Sequence, residues 1–326
     1  MSLGDLPRPG AALSAWVRAQ RPAAERIAVA TPPAFLEPER AADGRVVRTA
    51  TLLLQNRECP WACLMCDLWK HTLPGPTPPG FVPAQIALGL AGLEHVAEHI
   101  KLYNSGSFFD PRAVSPDEYN VITAQLAGFR HIVVESHPRL IGARTGDFHT
   151  QLRETLGATL EVAVGLETVD PVVLPRLNKG STLDDFARAA ETLHTQGIAL
   201  RCFVLVRPPF QDEPAALEWA VRSTAHAFAL GASVVSLIPT RAGNGAMEAL
   251  RARGDWAPPS LATLERALAA GLAMGRGRVF ADTWNLPAEG ACAACLPARL
   301  SRLHDANLAQ SLPPAVVCIT CGGSAG

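Results

Sequence analysis

Short runs of apolar, largely β-branched residues recur along this chain, and stretches of helical periodicity separate them. The first run is Arg45–Leu54, ending in Thr51-Leu52-Leu53-Leu54. Ile100–Tyr103, His131–Glu135, Leu160–Leu166, Leu200–Val206 and Ser233–Ile238 follow, and Val279–Ala281 reads as a short further strand. The helices predicted between them cover Pro83–Ala97, a segment from near Pro116, one from Ser181 or Thr182, then Pro214–Leu230 and Leu261–Met274. Ser115 is placed to cap the second, with proline in its first turn. Leu183, Phe186, Ala190 and Leu193 form one apolar stripe along the third. Pro74, Pro76, Pro78 and Pro79 forbid a helix over 72–82, which reads as an irregular excursion.

Apolar strands that alternate with helices imply a parallel sheet with both faces covered. Six or seven such units predict an α/β fold, a complete or partial (β/α)6-type barrel, with a flat doubly wound sheet as the alternative. In such barrels chemistry collects where strands end and loops begin. The chain divides into an N-terminal extension (1–45), a barrel (46–285) and a C-terminal segment (286–326). Leu13, Trp16 and Val17 have helical spacing, so a short helix in the extension is expected over one end of the core.

Composition changes this picture little. Of 326 residues, 48% are hydrophobic and 18% charged, enough for a sizeable core. A net charge of −1 argues neither for nor against a nucleic-acid partner. No apolar run reaches the roughly 18 residues that span a membrane. Pro7, Pro9 and Gly10 stand where a secretory signal needs an apolar core, so a cytoplasmic location is expected. Eight cysteines in a core-forming chain point to metal sites rather than disulfides. They fall as three, one and four, and the single one, Cys202, sits inside an apolar strand as packing.

The first three carry the strongest signal. Cys59-Pro60-Trp61-Ala62-Cys63-Leu64-Met65-Cys66 leaves the end of the first strand. Three thiolates so close can hold one face of an iron–sulfur cube and leave its fourth iron without a protein ligand. A zinc site is the alternative, but it wants four ligands, and His71 is the nearest candidate for the last. Other polar groups cluster at later strand ends. Ser105-Gly106-Ser107 sets a glycine between hydroxyls, where backbone can approach a ligand closely. Glu135 ends an apolar strand, a costly place without a partner. Glu167 ends the next, and Lys179 precedes the following helix. Arg207 follows the fifth strand, and Ile238-Pro239-Thr240-Arg241 the sixth.

The cysteine loop resembles that of the radical S-adenosylmethionine (SAM) superfamily, and the resemblance extends over about 46–245. It implies that Cys59, Cys63 and Cys66 hold a [4Fe–4S] cluster whose open iron binds SAM, which an electron then cleaves to a 5′-deoxyadenosyl radical. It implies an electron donor such as flavodoxin or ferredoxin. Ser105, Gly106 and Ser107 stand where the superfamily contacts the SAM amino group, though two glycines and an acidic residue are commoner there. Glu135 matches a glutamate used near the SAM ribose in the branches of the elongator catalytic subunit and coproporphyrinogen dehydrogenase. Glu167 and Lys179 match an amide or acid and a basic residue, the latter pairing with the SAM carboxylate. Arg207 is a candidate for SAM or an anionic substrate, and the backbone at Ile238 for the adenine. Tyr103–Pro111, Glu135–Pro138 and Leu174–Phe186 look most like the radical SAM enzyme of archaeosine formation. That similarity implies C–N bond cleavage on a lysine-modified 7-deazaguanine in tRNA, with a small-molecule substrate as the alternative. Met65 departs from the aromatic commoner before the third cysteine, and no RNA-binding module is recognisable.

Cys292-Ala293-Ala294-Cys295 and Cys318-Ile319-Thr320-Cys321 form two CxxC knuckles. Four such thiolates suit tetrahedral zinc, and an auxiliary iron–sulfur cluster takes four as well. A helix over Ala298–Gln310 would bring the pairs together, and Gly322-Gly323 fits a tight knuckle turn. A non-catalytic metal-binding module with a degenerate barrel is a second reading of the whole chain, and an electron-transfer iron–sulfur protein a third.

Overall fold

The computed structural model describes residues 6–23, 26–93, 97–286, 291–322 and 324–325. Helix α1 (Ala11–Gln20) precedes strand β1 (Ala34–Arg40), and β2 (Val46–Leu54) returns antiparallel to it. Helix α2 (Phe81–Ala91), β3 (His99–Asn104), α3 (Tyr119–Gln125), β4 (His131–Ser136), α4 (Ala143–Leu156) and β5 (Thr159–Glu167) follow. Then come α5 (Val173–Arg176), α6 (Leu183–Thr195), β6 (Ala199–Val206), α7 (Glu213–Ala229) and β7 (Val234–Pro239). The chain closes with α8 (Ala246–Ala252), α9 (Leu261–Ala273), β8 (Arg278–Ala281) and α10 (Leu296–Ala309).

The eight strands of the main sheet lie in chain order, and β2 to β8 pair in parallel; after α10, Val316–Val317 and Ser324–Ala325 form a separate antiparallel pair. A doubly wound sheet reverses its strand order partway, so this order selects the barrel. The stretch set apart as an extension supplies β1, an edge strand that had not been expected. Its Pro38 is tolerated because only one side of the strand is paired. The helix expected over Pro83–Ala97 starts at Phe81 and ends at Ala91, and residues 94–96 lie outside the described ones. Ser115 does cap, its Oγ accepting from Asp117 N at 3.3 Å, but on a short 3-10 turn ahead of α3. Thr182 and Asp185 form a reciprocal capping box at the start of α6.

Alternation along the strands builds two layers. Ile100 and Leu102, Leu160 and Val162, Leu200 and Cys202 all belong to the main core under the helices. The alternate residues face the barrel interior, and at its floor Lys101, Glu161 and Arg201 are charged. Lys101 pairs with Glu37 at 2.9 Å and also with Glu39. Arg201 pairs with Glu39 at 2.6 Å and Glu161 at 2.5 Å, and Arg278 reaches Glu161 at 3.4 Å. Burial alone would raise the Glu161 carboxyl, but Arg201 holds it well below the carboxylate range. Three cations answer three carboxylates, so the barrel floor is a closed ionic plug.

The sheet stays open between β1 and β8, and α10 covers that gap. Gln310 Oε1 accepts from Val279 N at 2.8 Å, and its Nε2 donates to Val279 O at 3.1 Å. Asn307 makes the same pair of bonds with Ala281, both at 2.9 Å. Two side-chain amides thus stand in for a neighbouring strand and satisfy the exposed edge. Among the described residues, no helix is long and apolar enough to cross a membrane.

Candidate functional site

Because β2 to β8 are parallel, the loops after their C-terminal ends share one mouth of the barrel. The cysteine loop leaves β2 there, and three segments hold it. Leu64 N donates to Leu177 O at 2.8 Å, and Asn178 Nδ2 donates to Ala62 O at 2.9 Å. Asn244 Nδ2 reaches Leu64 O at 2.8 Å and Cys66 O at 3.2 Å. Ala62 and Leu64 also pack under Leu13 and Val17 of α1, so the N-terminal helix covers this loop.

The tightest restraint is Trp61. Its ring stacks on His137 with centroids 3.5 Å apart and planes 8° apart. Its other neighbour is Gly180, at φ +75°, where an added Cβ would strike the indole at 2.6 Å. His137 Nδ1 accepts from Arg139 N at 3.3 Å, so its proton sits on Nε2, which donates to Lys179 O at 3.0 Å. Burial pushes His137 down to about 3, keeping the ring neutral. The sequence offered no sign of this clamp, because its parts lie on three separate loops.

The polar residues expected at the strand ends converge on the same place. Gly106 lies against the loop, its nearest surroundings being Asn56, Arg57 and Cys59. Ser107 is buried, and its Oγ accepts from His137 N at 2.9 Å. Ser105 N meets Leu54 O at 3.4 Å, tying that turn to the end of β2. Glu135 accepts from Asn104 N at 2.7 Å. Lys179 Nζ meets Glu167 Oε1 at 2.5 Å, and both side chains are nearly buried. Burial would lower Lys179, yet Glu167 and the Cys63 and Cys59 thiols raise it, so a fixed positive charge faces the cysteines. Glu167 takes φ +68° at a bulge where the β5–β6 register shifts, a costly backbone for a non-glycine residue. A Cβ on Gly165 would collide with both members of this ion pair, so glycine is needed beneath it. Ile238 packs in one apolar cluster with Met65 of the cysteine loop. Arg207 is not brought in: its guanidinium pairs with Glu213 at 2.5 Å and donates to Pro258 O at 2.8 Å.

Two residues that sequence reasoning passed over belong here. Asn56 and Asn104 are fully buried at the ends of β2 and β3, and neither side-chain amide has a partner among the described residues. Buried amides are rarely left unpaired, so this pair fits a mouth built to receive a polar ligand. The thiols fit a cluster as well. They sit on one short loop beside a cation, and burial pushes each up to about 12, so iron loading must displace their protons.

Burial also pushes Glu135 up to about 8. A carboxyl kept protonated in the folded chain but ionised in the unfolded one makes stability fall as pH rises from about 4.5 to about 8. We expect the melting temperature of the metal-free protein to drop across that window, and Glu135→Gln to flatten the slope. Parallel slopes in the two proteins would refute this.

In the tail, the sulfurs of Cys292, Cys295, Cys318 and Cys321 all lie within 4.8 Å of one another. Cys292 Sγ and Cys318 Sγ are 3.9 Å apart. Backbone amides, that of Cys321 first, hold the Cys318 thiol down to about 6, while burial among its neighbours raises Cys295 to about 11. Gly322 takes φ +64°, as a tight knuckle turn requires, and Gly323 lies outside the described residues. Helix α10 starts directly after Cys295, its N-cap, and its Arg299 donates to the buried Glu265 of α9 at 2.5 and 3.1 Å.

No family model matches the chain. Archaeosine synthase subunit beta of Methanosarcina acetivorans is 28% identical over 229 residues, 67% of this chain and 65% of that protein. An uncharacterized protein of Methanocaldococcus jannaschii is 25% identical over 233 residues, 67% of this chain and 63% of that one. The chain thus spans a little under two thirds of the length of these curated relatives. Among solved structures, queuine lyase from Clostridium spiroforme, bound to SAM and queuine, aligns with a TM-score of 0.43 and 18% identity, over 62% of this chain and 78% of that one. The chain is thus similar in sequence to archaeosine synthase subunit beta, and its three-cysteine loop lies at the mouth of a parallel barrel.

Proposed function

We propose that this chain reductively cleaves SAM at a [4Fe–4S] cluster and acts on a 7-deazaguanine-type nucleoside in tRNA, breaking a C–N bond. The observation that carries the SAM reading is the convergence of the cysteine loop, the Lys179–Glu167 pair and the unpartnered amides of Asn56 and Asn104 on one barrel mouth. The substrate reading is supported by similarity to archaeosine synthase subunit beta over two thirds of the chain.

Cys59, Cys63 and Cys66 would hold the cluster, which supplies the electron that cleaves SAM to a radical able to abstract hydrogen. The chain's own part is binding and aim. Lys179 offers its charge to the SAM carboxylate, and Glu167 keeps that lysine in place. Glu135, held on Asn104 N, stands ready for the ribose, and the Ser105–Ser107 turn brings backbone close to the amino group. Below them, the ionic plug seals the barrel floor, so water is kept from the reacting end.

The tail is proposed to bind one zinc ion. Four thiolates at 2.3 Å from a single zinc stand about 3.8 Å apart, whereas thiolates on four irons of a cube stand farther away. The 3.9 Å Cys292–Cys318 separation matches the single ion. Zinc would pin both ends of α10, and α10 covers the β8 edge. Chelation, or Cys295→Ala, is therefore expected to lower the melting temperature by about 5 °C and to speed hydrogen exchange at Val279 and Ala281. Unchanged exchange there would separate the tail from the barrel.

The deciding test is anaerobic: reconstitute with iron and sulfide, reduce, add SAM, and assay 5′-deoxyadenosine with metal analysis of the same sample. Product with about four irons and one zinc supports both assignments. Eight irons and no zinc would make the tail a second cluster. No product from an intact reduced cluster would remove the SAM reading, unless addition of substrate tRNA restores it.

A further inference from the structure

Beside the cysteine loop, on the N-terminal side of the barrel mouth, lies a cavity of about 350 Å³. Arg18, Arg26, Arg57, Glu58 and Cys59 line it, against a wall of Leu73, Pro74, Gly75 and Pro76. Glu58 is already spanned by Arg21 at 2.8 Å and Arg26 at 2.7 Å. Its charge is offset by those two, so the positive charge of Arg18 and Arg57 is surplus among the described residues. Of the three cluster cysteines, Cys59 alone lines this opening. A basic rim thus borders Cys59, one of the three proposed cluster ligands.

We propose that this rim is the docking surface for the protein that delivers the electron, a small acidic carrier with a one-electron flavin or iron–sulfur centre. The proposal rests on the radical SAM reading of the cysteine loop and names the face through which it is served. In the transfer the carrier loses one electron and is oxidised, and the cluster gains it, passing from the 2+ to the 1+ state. No bond forms or breaks, and no proton moves. Electron-transfer encounters bury little area, so a few well-placed charges suffice to steer them. An RNA would instead need a longer basic track, since its affinity comes from many phosphate contacts. A few arginines around one cavity, in a chain of net charge −1, fit the small acidic protein better. The rigid wall at 73–76 adds a preformed contact that costs little entropy on binding.

The test uses the holoprotein and a purified acidic flavodoxin. Flavodoxin is expected to bind the wild type, more weakly as salt rises. Arg18→Glu with Arg57→Glu is expected to weaken that binding about tenfold and to slow flavodoxin-driven SAM cleavage in proportion. Cleavage driven by dithionite, which needs no docking, should be unchanged, as should the cluster absorbance. Equal flavodoxin binding by both proteins, or none by the wild type, would overturn the proposal. So would a variant that loses tRNA binding and keeps flavodoxin binding, because the rim would then be an RNA contact. Failure of dithionite-driven cleavage in the wild type would count against the radical SAM reading instead, and the binding data would still judge the rim.

Discussion

Cys63→Ala is expected to abolish reductive SAM cleavage while the protein stays folded and soluble. The first half follows from ligand count. Two thiolates remain after the substitution, and a cube that must leave one iron open for SAM needs three from the protein. The second half follows from what holds the loop. The Trp61–His137 stack, the Leu64–Leu177 bond and the amides of Asn178 and Asn244 all act on residues other than Cys63. Removing one sulfur leaves each of them intact. Anaerobic assay of 5′-deoxyadenosine, with circular dichroism on the same sample, checks both halves. Turnover above background in the variant would move the cluster elsewhere. Loss of solubility would mean that the thiol, rather than the clamp, organises the loop.

The sequence showed what is local and missed what is shared between distant segments. β-branched runs located β2 to β8, because a strand buried on one face under helices needs little from its sequence but apolar alternation. Thr182 announced α6 because a cap is built within four residues. The cysteine loop and the tail knuckles were readable for the same reason. By contrast, β1 looks polar because its Glu37 and Glu39 find Lys101 and Arg201 across the barrel, partners far away in the chain. The charges in β3, β5 and β6 were a usable signal: Lys101, Glu161 and Arg201 interrupt apolar runs on the same alternate face. Arg207 shows the opposite limit. Its place after β6 suggested the barrel mouth, but Glu213, at the start of the next helix, takes its guanidinium. The clamp on Trp61 needed His137 and Gly180 to be placed together, which only the closed barrel does.

Lys179→Met is expected to cost about 3–5 kcal/mol of stability, far more than loss of a surface lysine. The reason lies in what it leaves behind. Glu167 is buried, its backbone is held at φ +68° by the β5–β6 bulge, and Lys179 at 2.5 Å is the cation that balances it. The bulged backbone keeps the carboxylate from swinging out to water, so an unpaired charge would stay in the barrel mouth. Pairing the substitution with Glu167→Gln removes that charge, and most of the lost stability should return. The two variants also separate structure from chemistry. If Lys179 serves only Glu167, the double variant recovers SAM binding together with its melting temperature. If the lysine also receives the SAM carboxylate, the double variant melts near the wild type and still binds SAM poorly. Denaturation curves alongside SAM titration of the reconstituted protein make the distinction, and restored stability without restored binding is the result the proposed function requires.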